Sequence, residues 1–223
     1  MKRIEIIPAI LPFTFADLAD KVELVKGFTK KLQVDVCDGQ FVPNATWPYR
    51  KEDDTFNKIL HEEEGMPGWE SIDYEFDLMV NRPEEVVEQW VTAGAARIII
   101  HAEAKGDIAA ALVKLSGVVE VGMALNVDTP LDIIELHQER INFIQLMGID
   151  HIGFQHQQFD EKVLNKIKEV KSKYPDMIVS IDGGVSMETA PKLIEAGADR
   201  LVIGSAIFGA DNPLDTLQNF KKL

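Results

Sequence analysis

Met187-Glu188-Thr189-Ala190-Pro191-Lys192-Leu193-Ile194-Glu195-Ala196-Gly197-Ala198-Asp199-Arg200-Leu201-Val202-Ile203 decides the fold. The stretch predicts a helix over Met187–Ala196, a stop at Gly197 and a short apolar strand over Leu201–Ile203, because glycine suits the left-handed turn that ends a helix. The same order recurs upstream, where Ala93-Gly94-Ala95 closes an amphipathic stretch and leads into Arg97-Ile98-Ile99-Ile100-His101. Working outward, apolar, β-branched runs alternate with amphipathic stretches eight times along the chain. The strands expected are Ile4–Ile10, Lys31–Val36, Ser71–Val80, Arg97–His101, Val119–Asn126, Phe143–Met147, Ile178–Asp182 and Leu201–Ile203. Helices are expected at Thr14–Val25, Pro83–Ala93, Ile108–Leu115, Leu131–Glu139, Asp160–Lys173 and Met187–Ala196. Thr14 is placed to cap Phe15–Val25 in the first of them, Asp160 opens the fifth ahead of Glu161-Lys162-Val163-Leu164, and Pro83 suits a first turn.

Eight strand–helix pairs in 223 residues predict an α/β fold: a single (β/α)8 barrel domain over 1–223, near the lower end of that architecture's size range. A doubly wound open sheet is the alternative. It wants a glycine-rich turn after the first strand, and Pro8-Ala9-Ile10-Leu11-Pro12 has none. The crowded charge of Asn44–Gly68 reads as an elaborated connection between strands two and three.

Composition narrows the function classes. With 37 acidic and 23 basic residues the formal charge is −14, which repels nucleic-acid phosphates and anionic membrane surfaces. No apolar run approaches the roughly 20 residues that cross a bilayer, so the expected setting is cytoplasmic. The single cysteine, Cys37, excludes an internal disulfide and a cysteine metal cluster. The oligomeric state stays open, a homo-oligomer included.

In a barrel, reactive groups sit at the C-terminal ends of the strands. Oxygen-bearing side chains end three of them: Gln33 and Asp35 on strand two, Asp77 on strand three and Asp182 on strand seven. Gln33 and Asp35, two apart, point to one side of their strand. Inside a barrel unpaired carboxylates are expensive and raise one another's pKa, so the cluster implies a metal site or a proton-transfer site. Asp182-Gly183-Gly184-Val185 and Ile203-Gly204-Ser205-Ala206 follow late strands, where small residues let backbone approach an anion. His101 ends an apolar run and either faces the pocket or is buried and hydrogen-bonded. His151 and His156 fall in the loop after strand six, and His61 and His137 are expected to face solvent.

Val34-Asp35-Val36-Cys37-Asp38-Gly39-Gln40-Phe41-Val42-Pro43-Asn44, Asp77-Leu78-Met79-Val80, Ala124-Leu125-Asn126, Asp182-Gly183-Gly184 and Gly204-Ser205-Ala206-Ile207-Phe208-Gly209 together resemble the ribulose-phosphate 3-epimerase family from about Ile6 to Pro213. The resemblance implies a barrel isomerase that moves a proton on a ketose phosphate between two aspartates, here Asp35 and Asp182, with a divalent metal at Gln33, Asp35, Asp77 and Asp182. It implies substrate and phosphate contacts at Ala9, Met79, Met147, Gly153, His156, Gly183, Gly184, Gly204 and Ser205. This sequence departs from the family pattern where Gln33 and Asp77 replace two histidines, where Ala9 replaces serine, and where Gln155 and His156 replace two glycines of the phosphate loop. An amide and a carboxylate in place of imidazoles favour magnesium, manganese or calcium over zinc, or no metal at all. The alternative function is a divergent or inactive member that binds another sugar-like or anionic ligand. A related decarboxylase is disfavoured, since Asp77-Leu78-Met79-Val80-Asn81 lacks that group's lysine.

Overall fold

A computed structural model describes residues 4–50, 53–154 and 157–223. The strands are β1 (Glu5–Ile10), β2 (Lys31–Cys37), β3 (Asp73–Met79), β4 (Ala95–His101), β5 (Glu120–Leu125), β6 (Phe143–Met147), β7 (Ile178–Asp182) and β8 (Arg200–Ile203). Each pairs in parallel with the next and β8 pairs with β1, which closes the barrel. The helices are α1 (Phe15–Val25), α2 (Thr55–Leu60), α3 (Val87–Thr92), α4 (Ile108–Leu115), α5 (Asp132–Glu135), α6 (Lys162–Lys173), α7 (Ala190–Ala196), α8 (Ser205–Phe208) and α9 (Pro213–Phe220).

Every expected strand forms, within two residues of its expected ends. The helices differ more. Pro83–Ala93 breaks into a 3-10 turn at Pro83–Glu85 and α3, because Val86 at φ −120 interrupts the winding. Leu131–Glu139 contracts to α5, beyond which the chain winds tightly through three-residue hydrogen bonds from His137 to Ile134 and from Arg140 to His137. The Met187 helix starts three residues late, after Ser186 and Thr189 exchange hydrogen bonds in a turn. Thr14 does cap α1, accepting from the Asp17 N–H at 3.1 Å.

Strand alternation creates two interiors. Leu32, Val34 and Val36 point outward and join the helices' buried faces, such as Leu18, Val22 and Val25 of α1, in the main hydrophobic layer. The alternate residues point into the barrel, and many are polar. At the floor, buried Arg97 pairs with Glu120 at 2.8 Å, Glu75 at 3.2 Å and Glu5 at 3.4 Å, and Arg200 pairs with Glu5 and Glu120 at 2.9 and 2.7 Å. Phe143 lies beneath both guanidinium groups, 4.6 Å from that of Arg200, and its ring fills the space beside Gly122.

The long β2–β3 connection is anchored by Trp47, which is fully buried and packs on Phe15, Phe56 and Trp90 with ring centroids 5.4–6.1 Å apart. Next to it Thr46 accepts from Cys37 N–H and donates to the Asp35 carbonyl, at 2.8 and 3.0 Å. Asp38 builds the loop itself, accepting from the N–H groups of Gln40, Phe41 and Asn81.

A Cβ on Gly122 would stand 2.4 Å from the Phe143 ring, so Gly122→Ala overpacks the floor. It is expected to cost roughly 1–3 kcal/mol, read as a lowered melting temperature. An unchanged value would show that the ring has room to move.

Candidate active site

Four inward side chains meet at the upper level of the barrel because of register. Asp35 and Asp77 are partners on β2 and β3, and Gln33 sits one inward step below Asp35. Asp182 ends β7 opposite Met147 of β6. One carboxylate oxygen from each of Asp35, Asp77 and Asp182 lies within 4.8 Å of the other two. A single nitrogen, Gln33 Nε2, donates to both Asp35 Oδ1 at 2.8 Å and Asp182 Oδ2 at 2.7 Å.

Two residues that sequence reasoning did not assign complete the cluster. Gln145 of β6 is fully buried, and its Nε2 donates to Asp77 Oδ2 at 3.2 Å and Asp182 Oδ2 at 3.4 Å. His101, equally buried, holds Asp77 Oδ1 through Nε2 at 3.0 Å, with Glu103 3.9 Å from its other ring nitrogen. This resolves the two readings of His101 in favour of the buried, hydrogen-bonded one. The signal for Gln145 was in the strand: Gln145 and Met147 share the inward face of an otherwise apolar run.

Burial dominates the electrostatics. It pushes the Asp182 carboxyl up to about 7, with the Asp77 charge adding to the effect and the Gln33 hydrogen bond opposing it. Asp35 is raised well above the usual carboxylate range by burial first and then by the charges of Asp182 and Asp77. For His101, burial disfavours the imidazolium, but the charge and hydrogen bond of Asp77 outweigh it and hold the ring's proton more tightly than usual. Cys37, nearby and buried, has its thiol pushed far up by burial and by Asp35, which rules out a nucleophilic thiolate.

A pocket opens above the cluster. Asp35 and Asp182 line it with Ala9, Met79, Met147, Gly153, Gly183, Gly184, Gly204 and Ser205, while Leu11, Ile149 and Phe154 supply apolar wall. Gln33 and Asp77 lie beneath it, fully buried. Gly184 has φ +67, and a Cβ there would come within 2.9 Å of the Phe159 backbone; only glycine fits that turn. His156 and Gln155, expected to reshape the phosphate loop, lie outside the described residues.

Asp182 carries a testable sign. An unfolded aspartate titrates near 3.9, so between about 4 and 7 the folded protein holds more protons than the unfolded chain, and stability falls as pH rises through that window. In chelator-treated protein, Asp182→Asn removes the Asp182 contribution to this slope. Its stability is expected to exceed that of wild type by more at pH 8 than at pH 5, with a gap at pH 8 on the order of a few kcal/mol. A gap that does not change with pH would contradict the buried-acid reading.

Comparison with known proteins places the chain. A model described as the ribulose-phosphate 3 epimerase family matches residues 5–208. Ribulose-phosphate 3-epimerase of Bacillus subtilis (strain 168) is 35% identical over 214 residues, covering 92% of this chain and 93% of its own. The protein of the same name from Schizosaccharomyces pombe is 31% identical over 224 residues, covering 99% and 94%. Among solved structures, KGPDC from Streptococcus mutans superposes with a TM-score of 0.75 at 15% identity, covering 99% of this chain and 97% of that one. 3-Hexulose-6-phosphate synthase from Salmonella typhimurium gives 0.72 at 14%, covering 98% and 97%. The structural likenesses establish the barrel, and the sequence matches establish the lineage: this chain belongs to the ribulose-phosphate 3 epimerase family.

Proposed function

We propose that the protein is an isomerase that inverts the carbon next to the carbonyl of a ketose phosphate, ribulose 5-phosphate and xylulose 5-phosphate being the first pair to test. Asp35 and Asp182 are the acid and base. The observation that carries this reading is the pairing of these two carboxyls across one amide nitrogen, at the bottom of one pocket. One carboxylate takes the proton from the carbon α to the ketone, the electron pair moves into an enediolate, and the other carboxylic acid returns a proton to the opposite face. Such a pair needs one ionised and one protonated member near neutral pH, and burial raises both groups toward that range.

The residues also fit a divalent cation. Asp35, Asp77 and Asp182 offer three oxygens within reach of one another. Gln33, expected among the ligands, turns its amide nitrogen to two of these acids, so its oxygen would join them only after the amide turns over. Oxygen donors without thiolate or free imidazole suit magnesium, manganese or calcium better than zinc. When bound, such an ion would supply positive charge that stabilises the enediolate oxygens. Gln33 and Gln145 contribute N–H dipoles at the same level. The phosphate is assigned to the backbone around Gly183, Gly184, Gly204 and Ser205, with Gly153 across the pocket. Small residues at those positions let N–H groups approach an anion that the chain's −14 charge repels at long range. Ala9, Met79 and Met147 are assigned to the sugar.

Incubation with ribulose 5-phosphate in deuterated water, with and without magnesium or manganese, is expected to place solvent deuterium at C3 and to form xylulose 5-phosphate. Asp35→Asn and Asp182→Asn should each lower turnover by about 10²–10⁴-fold while leaving the fold intact. Full activity in either variant, or no exchange at C3 under any condition, would sink the assignment and favour a binding role.

A further inference from the structure

Directly below the three aspartates the barrel interior is polar in a way the hydrogen bonds do not account for. Gln33 Oε1, Gln145 Oε1, Ser180 Oγ, Glu75 Oε1 and Arg200 Nη1 are all buried, and none has a partner among the described residues. All five residues are at least 95% buried: Gln33, Gln145 and Ser180 completely, Glu75 at 2% and Arg200 at 5% exposure. Buried polar atoms in native proteins are almost always satisfied by protein or by ordered water, so five orphans in one compartment call for an occupant.

Register shows that the five are neighbours. Gln145 pairs with Ser180 across β6 and β7, and Ser180 pairs with Arg200 across β7 and β8. On the other side Gln33 pairs with Glu75 across β2 and β3. The two rows meet at Asp182 Oδ2, which both glutamine amides contact. Both register partners of Gln145 are small: Ala124 on β5 and Ser180 on β7.

The mixture of atoms selects the occupant. Gln33, Gln145 and Glu75 offer acceptors, Arg200 offers a donor, and the serine hydroxyl can do either. A cation satisfies acceptors only. A molecule that both donates and accepts is required, and water making two to four bonds fits. We propose that ordered water occupies this layer, bridging Gln33, Gln145 and Ser180 and reaching toward Glu75 and Arg200 at the floor. By donating to the two Oε1 atoms, the water keeps both amides turned with N–H toward the carboxylates. It therefore positions the groups that hold Asp35, Asp77 and Asp182 in place, whatever reaction occurs above them.

Two measurements on the full chain test this without any activity readout. A crystal structure at about 1.5 Å is expected to show water within 2.6–3.2 Å of Gln33 Oε1, Gln145 Oε1 and Ser180 Oγ. In a melting experiment Ser180→Ala should lower the transition by a few degrees, because the water loses a partner. A dry layer would overturn the proposal, as would side chains repacked to satisfy one another, or an ion with only oxygen neighbours at cation distances. A Ser180→Ala melting temperature equal to or above wild type would also overturn it, since removing an orphaned hydroxyl from a dry site is neutral or stabilising.

Discussion

Three carboxylates crowded at one level of a closed barrel, Asp77 fully buried and Asp35 and Asp182 half-buried at the pocket, are the constraint on which the rest of the structure depends. Carboxylates so placed repel one another and are poorly solvated, so the fold must bring compensating donors to the same level. It does so from strands on both sides: Gln33 from β2, His101 from β4 and Gln145 from β6. None of these strands holds the cluster alone, which makes the closure of the sheet and the inward parity of each strand prerequisites of the site. Below it, Arg97 and Arg200 hold Glu5, Glu75 and Glu120 in an ionic floor. The interior is thus charged at both levels, while the apolar stabilisation lies between barrel and helices.

The departures from the family pattern are coherent when seen from this interior. Where the resemblance implies two imidazoles, Gln33 supplies N–H to two acids at once, and Asp77 brings a further negative charge that His101 and Gln145 then meet. Gln33 therefore stands in a different relation to the acids than a metal-binding imidazole, bridging them directly. The proposed chemistry needs only that Asp35 and Asp182 keep different protonation states at one pocket, and the repulsion between two carboxylates held by a single amide nitrogen disfavours ionising both. The Asp38 loop, whose sequence is one of the two long stretches of the family resemblance, works by shape. Its aspartate ties three backbone N–H groups and holds Phe41 5.2 Å from His101.

Much of this was legible in the residues. Parallel strands buried on both faces announce themselves as apolar runs, so all eight strands could be read, and strand ends pointed to Gln33, Asp35, Asp77 and Asp182 together. The helices were less legible because propensity does not report a local break: nothing in Pro83–Ala93 marks Val86 as the point where α winding fails. Gln145, Glu75 and Ser180 were missed for a different reason. Each is one polar residue inside an apolar strand, and its inward parity acquires meaning only when the opposing strands are known. The ionic floor is hidden likewise, since Arg97 and Glu5 are 92 residues apart in the chain. For the phosphate loop, the expectations at Gln155 and His156 lie outside the described residues, although Gly153 of the same loop lines the pocket.

Carbon-13 NMR titration of the aspartate carboxyl groups, in metal-free protein and again with saturating magnesium or calcium, tests the central claim most directly. The buried cluster predicts one carboxyl titrating near pH 7 without metal, assigned to Asp182 by its loss in Asp182→Asn, and its displacement to well below about pH 5 once a divalent cation is added. Aspartate signals that all titrate near 4 in the metal-free protein, as free aspartates do, would contradict the burial of charge on which the site is built. A signal near 7 that neither cation moves would contradict the oxygen site for a divalent ion.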